Sequence, residues 1–245
     1  SITSLSAVIY FYSVTTFLSS LMILFLFDTD KAQKKLKKKI EFKGIFKNLT
    51  SIICISFVVL AAYSGYKGID YYVYYFYEIF GYSKEKSSLV ITNLSYLRPI
   101  SALLAGIIAD KITSRFSCLI LFILMFLSYA FLSVLNFKET MLYLIFLNFI
   151  ISMIAIFSLR GIFYSLLEEI KLPITITGIA VGIISFIGYM PDIFIGPIFG
   201  YFLDKSTDIN SFQNCFLILF LLSISGFVAS LKLGRGKMRL KNILF

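Results

Sequence analysis

The sequence predicts an all-α polytopic membrane protein with seven transmembrane helices. Composition is the first reason. The 245 residues are 59% hydrophobic and 15% charged, with a mean hydropathy of +0.90. Soluble domains have close to half their residues apolar and about a quarter charged. The second reason is length: seven mainly apolar stretches reach the roughly 20 residues a span requires. They lie at about residues 2–27, 50–79, 88–109, 116–135, 141–166, 174–203 and 212–231. The third is where the positive charges fall, because basic residues gather on the cytoplasmic side of a bilayer.

The first connection, residues 28–49, carries eight lysines: Lys31, Lys34, Lys35, Lys37, Lys38, Lys39, Lys43 and Lys47. Placing it inside makes the other connections a test. Lys111, Arg115, Lys171, Lys232, Arg235, Lys237, Arg239 and Lys241 then fall inside, and Lys84, Lys86, Lys138 and Lys205 outside. Sixteen against four is a clear asymmetry. It predicts an N-terminus outside and a C-terminus in the cytoplasm. The short remaining connections predict antiparallel neighbours.

Several function classes are excluded. The net charge of +10 sits in short segments between spans, not on a soluble face, which argues against nucleic acid as a partner. There is no histidine, and Cys54, Cys118 and Cys215 each stand alone in apolar runs. Neither a metal site nor a disulfide is expected, and no cofactor. The sequence GRGK at Gly234–Lys237 lacks the upstream Gly and the following Ser or Thr of a phosphate-binding loop, so no ATP motor is expected. Asn48 and Asn93 fit the glycosylation pattern but fall on the cytoplasmic side and inside a span.

Between the third and fourth spans lies Gly106 to Arg115, GIIADKITSR. Its pattern, with Gly106, Asp110, Lys111 and Arg115 in register, resembles the signature loop of the major facilitator superfamily of secondary transporters. Thr113 and Ser114 stand where a second Gly is often found. In that superfamily the loop joins the second and third helices of each six-helix half, on the cytoplasmic side. The resemblance extends over essentially the whole chain. Residues 1–27 correspond to the last helix of the N-terminal half (helix 6) and 28–49 to the basic central loop. Residues 50–231 correspond to the six-helix C-terminal half, followed by a basic tail at 232–245. The implied partner is the missing N-terminal half of the same protein, and the implied location a bacterial inner membrane. The resemblance also implies a gating latch built from Gly106, Asp110, Lys111 and Arg115.

Charges within spans are costly, so they face a bundle interior and mark function. Lys67 and Asp70 lie three apart on one helical face of the second span. Arg98 lies near the middle of the third beside Pro99, Arg160 in the fifth, and Asp192 after Pro191 in the sixth. Their sum is positive. Arginine suits carboxylate or phosphate through its planar fork. Arg98, Lys67 and Arg160 are therefore candidate anion ligands, with Tyr63 and Tyr66 beside Lys67, and Arg160 an alternative gate residue. Asp70 and Asp192 are candidates for a coupling proton or for charge pairing. In the pairing alternative, Lys67 pairs with Asp70, and Asp192 with Arg98 or Arg160.

Gly65 and Gly68 bracket Lys67 and predict a bend. Tyr71, Tyr72, Tyr74, Tyr75 and Tyr77 predict an aromatic belt at the outer interface. In the sixth span, Gly178, Gly182, Gly196 and Gly200 form two G-x-x-x-G pairs suited to close helix packing. Gly188, Pro191 and Pro197 predict a break near mid-membrane. The segments TGIAVG, GYMPD and LRGIFYSLLEE resemble a group of bacterial superfamily members.

These observations predict alternating-access transport of a small solute, a small organic anion that is carboxylate or phosphorylated, by a symporter or antiporter with proton coupling as one open mode. The alternatives are a non-transporting scaffold or truncated pseudo-transporter, and a membrane enzyme. For an enzyme, Asp70 and Asp192 are the only carboxylate pair on offer. No catalytic residue is expected.

Overall fold

The computed structural model describes residues 2–26, 42–134, 141–170 and 172–233. Two units divide between Glu41 and Phe42. Among the described residues there are helices and turns and no strand. The seven helical stretches long and apolar enough to span a membrane fall where the sequence places them. Most of the lysines of the first connection, Lys138, Lys171 and the basic tail beyond Leu233 lie outside the described residues.

The first unit contains α1 (Ile2–Leu26), which is apolar on every side and carries no charge. Its Ser and Thr hydroxyls bond back to carbonyls one turn earlier, as Ser13 does to Ile9 at 2.9 Å. A span needs such internal satisfaction, because lipid offers no partner.

The second unit opens with a short helix, α2 (Phe42–Lys47), where the sequence reading has only loop. After Asn48 the chain enters α3 (Leu49–Glu78), the central element, with 16 buried residues. Around it lie α4 (Lys84–Ser95), α5 (Leu97–Lys111), α6 (Ser114–Val134) and α7 (Leu142–Ile162). A 3-10 turn (Phe163–Ser165) leads to α8 (Leu166–Glu169). Then come α9 (Ile174–Gly188), α10 (Pro191–Leu203) and α11 (Ile209–Lys232).

Because lipid tails are as apolar as the side chains, association rests on close packing of small residues. Gly226 of α11 sits where a Cβ would come within 2.5 Å of Phe122 and 2.6 Å of Ala61. At Gly161 of α7 a Cβ would lie 3.0 Å from Ala102 of α5. Gly65 and Gly68, read from sequence as allowing a bend, have this packing role as well. A Cβ at Gly65 would meet Ile156 and Met125 at 3.1 Å, and one at Gly68 would meet Leu219 at 2.5 Å. Helix α3 runs through both without interruption. The G-x-x-x-G pairs behave in the opposite way: a Cβ at Gly178, Gly182 or Gly196 would meet nothing within 4 Å, and at Gly200 only Asp204 of its own helix. Among the described residues of the second unit they pack against no neighbouring helix.

The expected tyrosine belt is corrected at two of its members, while Tyr71, Tyr74 and Tyr77 are half-buried. Tyr72 is fully buried, and Tyr75 is 3% exposed. The Tyr72 hydroxyl lies 3.0 Å from Ser152 Oγ and 3.3 Å from the Tyr129 hydroxyl. Tyr75 packs among Phe80, Phe149, Phe212 and Phe216. These rings belong to the core because the half of α3 that bears them is enclosed by α6, α7 and α11.

Two spans are interrupted. The third breaks at Tyr96 between α4 and α5, with Pro99 in the first turn of α5, where a missing N–H is tolerated. The sixth breaks at Tyr189–Met190, with Pro191 opening α10. Gly188 closes against Val59 of α3, which holds the end of α9 in place.

Candidate functional site

The two interruptions place the mid-span charges. Arg98 falls in the first turn after one break and Asp192 in the first turn after the other. Arg98 is 14 residues from one end of the Lys84–Lys111 span and 13 from the other, so it lies at mid-depth. Tyr63, Tyr66 and Lys67 are near the middle of α3, and Arg160 is near the end of α7. These residues, drawn from four spans, converge.

Their contacts form two linked groups. In the first, Arg98 Nη2 donates to the Tyr66 hydroxyl at 3.0 Å. The Arg98 guanidinium also lies 5.0 Å from the Tyr66 ring and 5.2 Å from the Phe157 ring. Arg160 covers the Tyr66 ring at 3.8 Å and lies 5.5 Å from the Tyr63 ring. Two guanidiniums thus share one tyrosine, and among the described residues neither has a carboxylate partner. Aromatic faces attract cations but carry no net charge, so this end of the site stays positive.

In the second group, Lys67 Nζ lies 2.9 Å from Asp192 Oδ1 and 3.9 Å from Asp70 Oδ2. The Tyr63 hydroxyl donates to Asp192 Oδ2 at 2.9 Å. The partner of Asp192 is therefore Lys67, not either arginine as the pairing alternative has it. The Lys67–Asp70 pair is present but long. Tyr63 joins the groups, with its ring 5.8 Å from Tyr66 and edge-on to Tyr189 at 4.7 Å.

Sequence reasoning missed three members of the set. Tyr189 sits in the break itself. Tyr164, in the 3-10 turn after α7, has its hydroxyl 3.0 Å from Ser185 Oγ of α9. The GYMPD segment marks the first of these, but no local pattern marks Tyr164 or Ser185.

The face is open. The side chains of Lys67, Asp192 and Asp70 are 32%, 47% and 68% exposed, and Arg98 is exposed too. In hydrocarbon such a face would be prohibitively costly, so it borders water or further protein. Among the described residues no group of His, Cys, Asp and Glu could hold a metal.

The signature loop lies apart from this cluster. Arg115 closes the end of α11, donating to the Ser230 carbonyl from Nε at 2.9 Å and to the Leu231 carbonyl from Nη2 at 2.6 Å. Glu169 accepts the Arg115 backbone N–H at 3.2 Å, at the N-terminus of α6. Both contacts match charge to helix dipole. Asp110 and Lys111 are exposed and form no ion pair among the described residues.

The model of the Major Facilitator Superfamily matches residues 1–193. The chain belongs to that superfamily. Membership of that superfamily points to a transporter rather than an enzyme. The chain is similar to two Escherichia coli proteins. One is the inner membrane protein YihN, 27% identical over 237 residues, or 92% of this chain and 56% of YihN. The other is the inner membrane protein YqcE, 27% identical over 229 residues, or 88% of this chain and 53% of YqcE. The chain spans about half the length of the curated relatives it matches. No solved structure matches it. As a superfamily member it is an integral membrane protein, and its mid-depth cluster is the candidate transport site.

Proposed function

We propose that the protein carries a small organic anion, carboxylate or phosphorylated, across the membrane by alternating access. The observation that carries this reading is the convergence of Arg98 and Arg160 on Tyr66 with no carboxylate partner among the described residues, while Lys67 has Asp192. The substrate's negative group supplies the missing counter-charge, and the arginine forks bind its oxygens. The break at Tyr96 sets Arg98 at mid-depth, where transporter sites lie beside broken helices. Among the described residues Asp70 has only a long contact to Lys67, and it is the candidate carrier of a coupling proton in symport or antiport.

The names of the two relatives support a bacterial inner membrane as the location. The lysine distribution supports an external N-terminus and a cytoplasmic C-terminus. Residues 1–27 then end an N-terminal half, 28–49 cross between halves in the cytoplasm, 50–231 form the C-terminal half and 232–245 a cytoplasmic tail. The N-terminal half would provide the facing wall of the cavity. Gly106, Asp110, Lys111 and Arg115 act at the cytoplasmic gate.

The test is thermal stabilisation of the purified full-length protein by a panel of organic anions and their neutral amide or ester analogues. At least one anion should raise the melting temperature while its neutral analogue does not, and Arg98→Ala should abolish the shift. Equal stabilisation by the neutral analogues, or an unchanged shift in Arg98→Ala, would remove the anion assignment.

A further inference from the structure

Lys67 stands between two carboxylates that belong to different helices. Asp70 is one turn along the same unbroken α3, so the Lys67–Asp70 separation depends only on side-chain rotamers. Asp192 is in the first turn of α10, just past the Tyr189–Met190 interruption. Pro191 has no N–H to continue the helical ladder there, and such points are where helices change direction. On the near side of the break, Gly188 locks the end of α9 against Val59. The pivot is therefore fixed, and α10 is the part able to tilt.

Tilting α10 away from α3 would separate Asp192 from Lys67. An ammonium left unpaired at mid-depth is costly. Asp70 removes that cost, because its Oδ2 is already 3.9 Å from Nζ and needs only a rotamer change to close. Lys67 thus has a partner in either position of α10, which is what a two-state element requires. Tyr63 connects this element to the arginines: its hydroxyl holds Asp192 Oδ2 at 2.9 Å and its ring lies 5.5 Å from the Arg160 guanidinium.

We propose that Lys67 is a transferable latch: paired with Asp192 it holds α10 against α3, and passing to Asp70 it releases α10. Tyr63 is the positioning residue that links the latch to the arginine pair. The assignment of a transport role to the movement rests on the proposed function; the latch itself rests on α3 and α10 alone.

The test is the distance between spin labels at Tyr77→Cys and Tyr201→Cys, near the C-terminal ends of α3 and α10, in full-length protein in lipid nanodiscs. Cys54, Cys118 and Cys215 are buried and remain unlabelled. Asp192→Asn should move the population toward the longer distance by roughly tenfold, the worth of one charge-assisted hydrogen bond. Asp70→Asn should move it toward the shorter distance, and Tyr63→Phe should follow Asp192→Asn to a smaller extent. A merely structural pair would not give shifts of opposite sign. Shifts of the same sign, or no shift, would overturn the latch. Should Asp192→Asn fail to assemble, Asp70→Asn decides alone, since it removes an exposed carboxylate, and an unmoved distance there overturns the latch. Opposite shifts without anion binding would keep the latch and remove the substrate reading; anion binding with unmoved distances would do the reverse.

Discussion

Arg98 donates to the Tyr66 hydroxyl at 3.0 Å while Arg160 covers the ring of the same tyrosine at 3.8 Å. One neutral side chain on α3 thereby holds two cations, one from α5 and one from α7, at a single point. The hydroxyl accepts from Arg98 and keeps its own proton to donate. The tyrosine therefore orients both guanidiniums without cancelling their charge.

Tyr66→Phe separates these roles. The ring under Arg160 remains, whereas the hydroxyl that orients Arg98 is lost. Affinity for the stabilising anion should fall at least about tenfold, since a hydrogen bond to a charged group contributes about 1.5–3 kcal/mol. Melting-temperature titrations against anion concentration give the value. Tyr66→Leu, lacking the ring as well, should fall further. Equal losses in the two variants would assign the whole effect to the hydroxyl.

Arg115 predicts local rather than global behaviour. It binds the carbonyls of Ser230 and Leu231, which the last turn of α11 leaves without intrahelical donors. Arg115→Ala should raise amide exchange at Leu231, Lys232 and Leu233 and leave the middle of α11 protected. Arg115→Lys, with a single ammonium in place of a two-pronged fork, should restore part of the protection. Hydrogen–deuterium exchange by mass spectrometry on the full-length protein measures both.

Acid sensitivity is expected at the loop before α11. Asp208 caps that helix, its Oδ1 accepting the Ser211 N–H at 3.0 Å and the Ser206 hydroxyl at 2.9 Å. The backbone N–H of Ser211, more than any other group, holds this carboxyl below the usual carboxylate range. Its stabilising contribution is complete above the unfolded-state value of about 3.9 and is lost as pH falls through the lower folded value. Asp208→Asn should therefore flatten the acid limb of a melting-temperature profile below about pH 4 and leave the neutral region nearly unchanged. An unaltered acid limb would contradict the cap.

Much of this was legible in the sequence because lipid imposes a strict rule on backbone and charge. Long apolar runs at α1, α3, α6 and α11 could only be spans, and Arg98 and Asp192 were conspicuous because charge at mid-depth is costly. Pro191 foretold the neighbourhood of the break in the sixth span, whereas the break at Tyr96 in the third was not read. The choice of partner was not legible. Spacing sets Lys67 beside Asp70 on one helix, whereas Asp192 reaches Lys67 only through the packing of α10 on α3. Nor was the burial of Tyr72 and Tyr75, since a tyrosine run reads the same at an interface as in a core, and only α6, α7 and α11 decide between them. Gly65 and Gly68 illustrate the same limit: a glycine permits a bend or a close approach, and the approach of Met125, Ile156 and Leu219 could not be read from the sequence.

The most direct test of the central claim is uptake of radiolabelled organic anions by the full-length protein in proteoliposomes, with and without an inward proton gradient. The account predicts saturable uptake of at least one carboxylate or phosphorylated anion, at least tenfold lower in Arg98→Ala and Arg160→Ala. That factor is the loss of about 1.4 kcal/mol of binding. Uptake confined to neutral or cationic solutes, or anion uptake indifferent to both arginines, would contradict it.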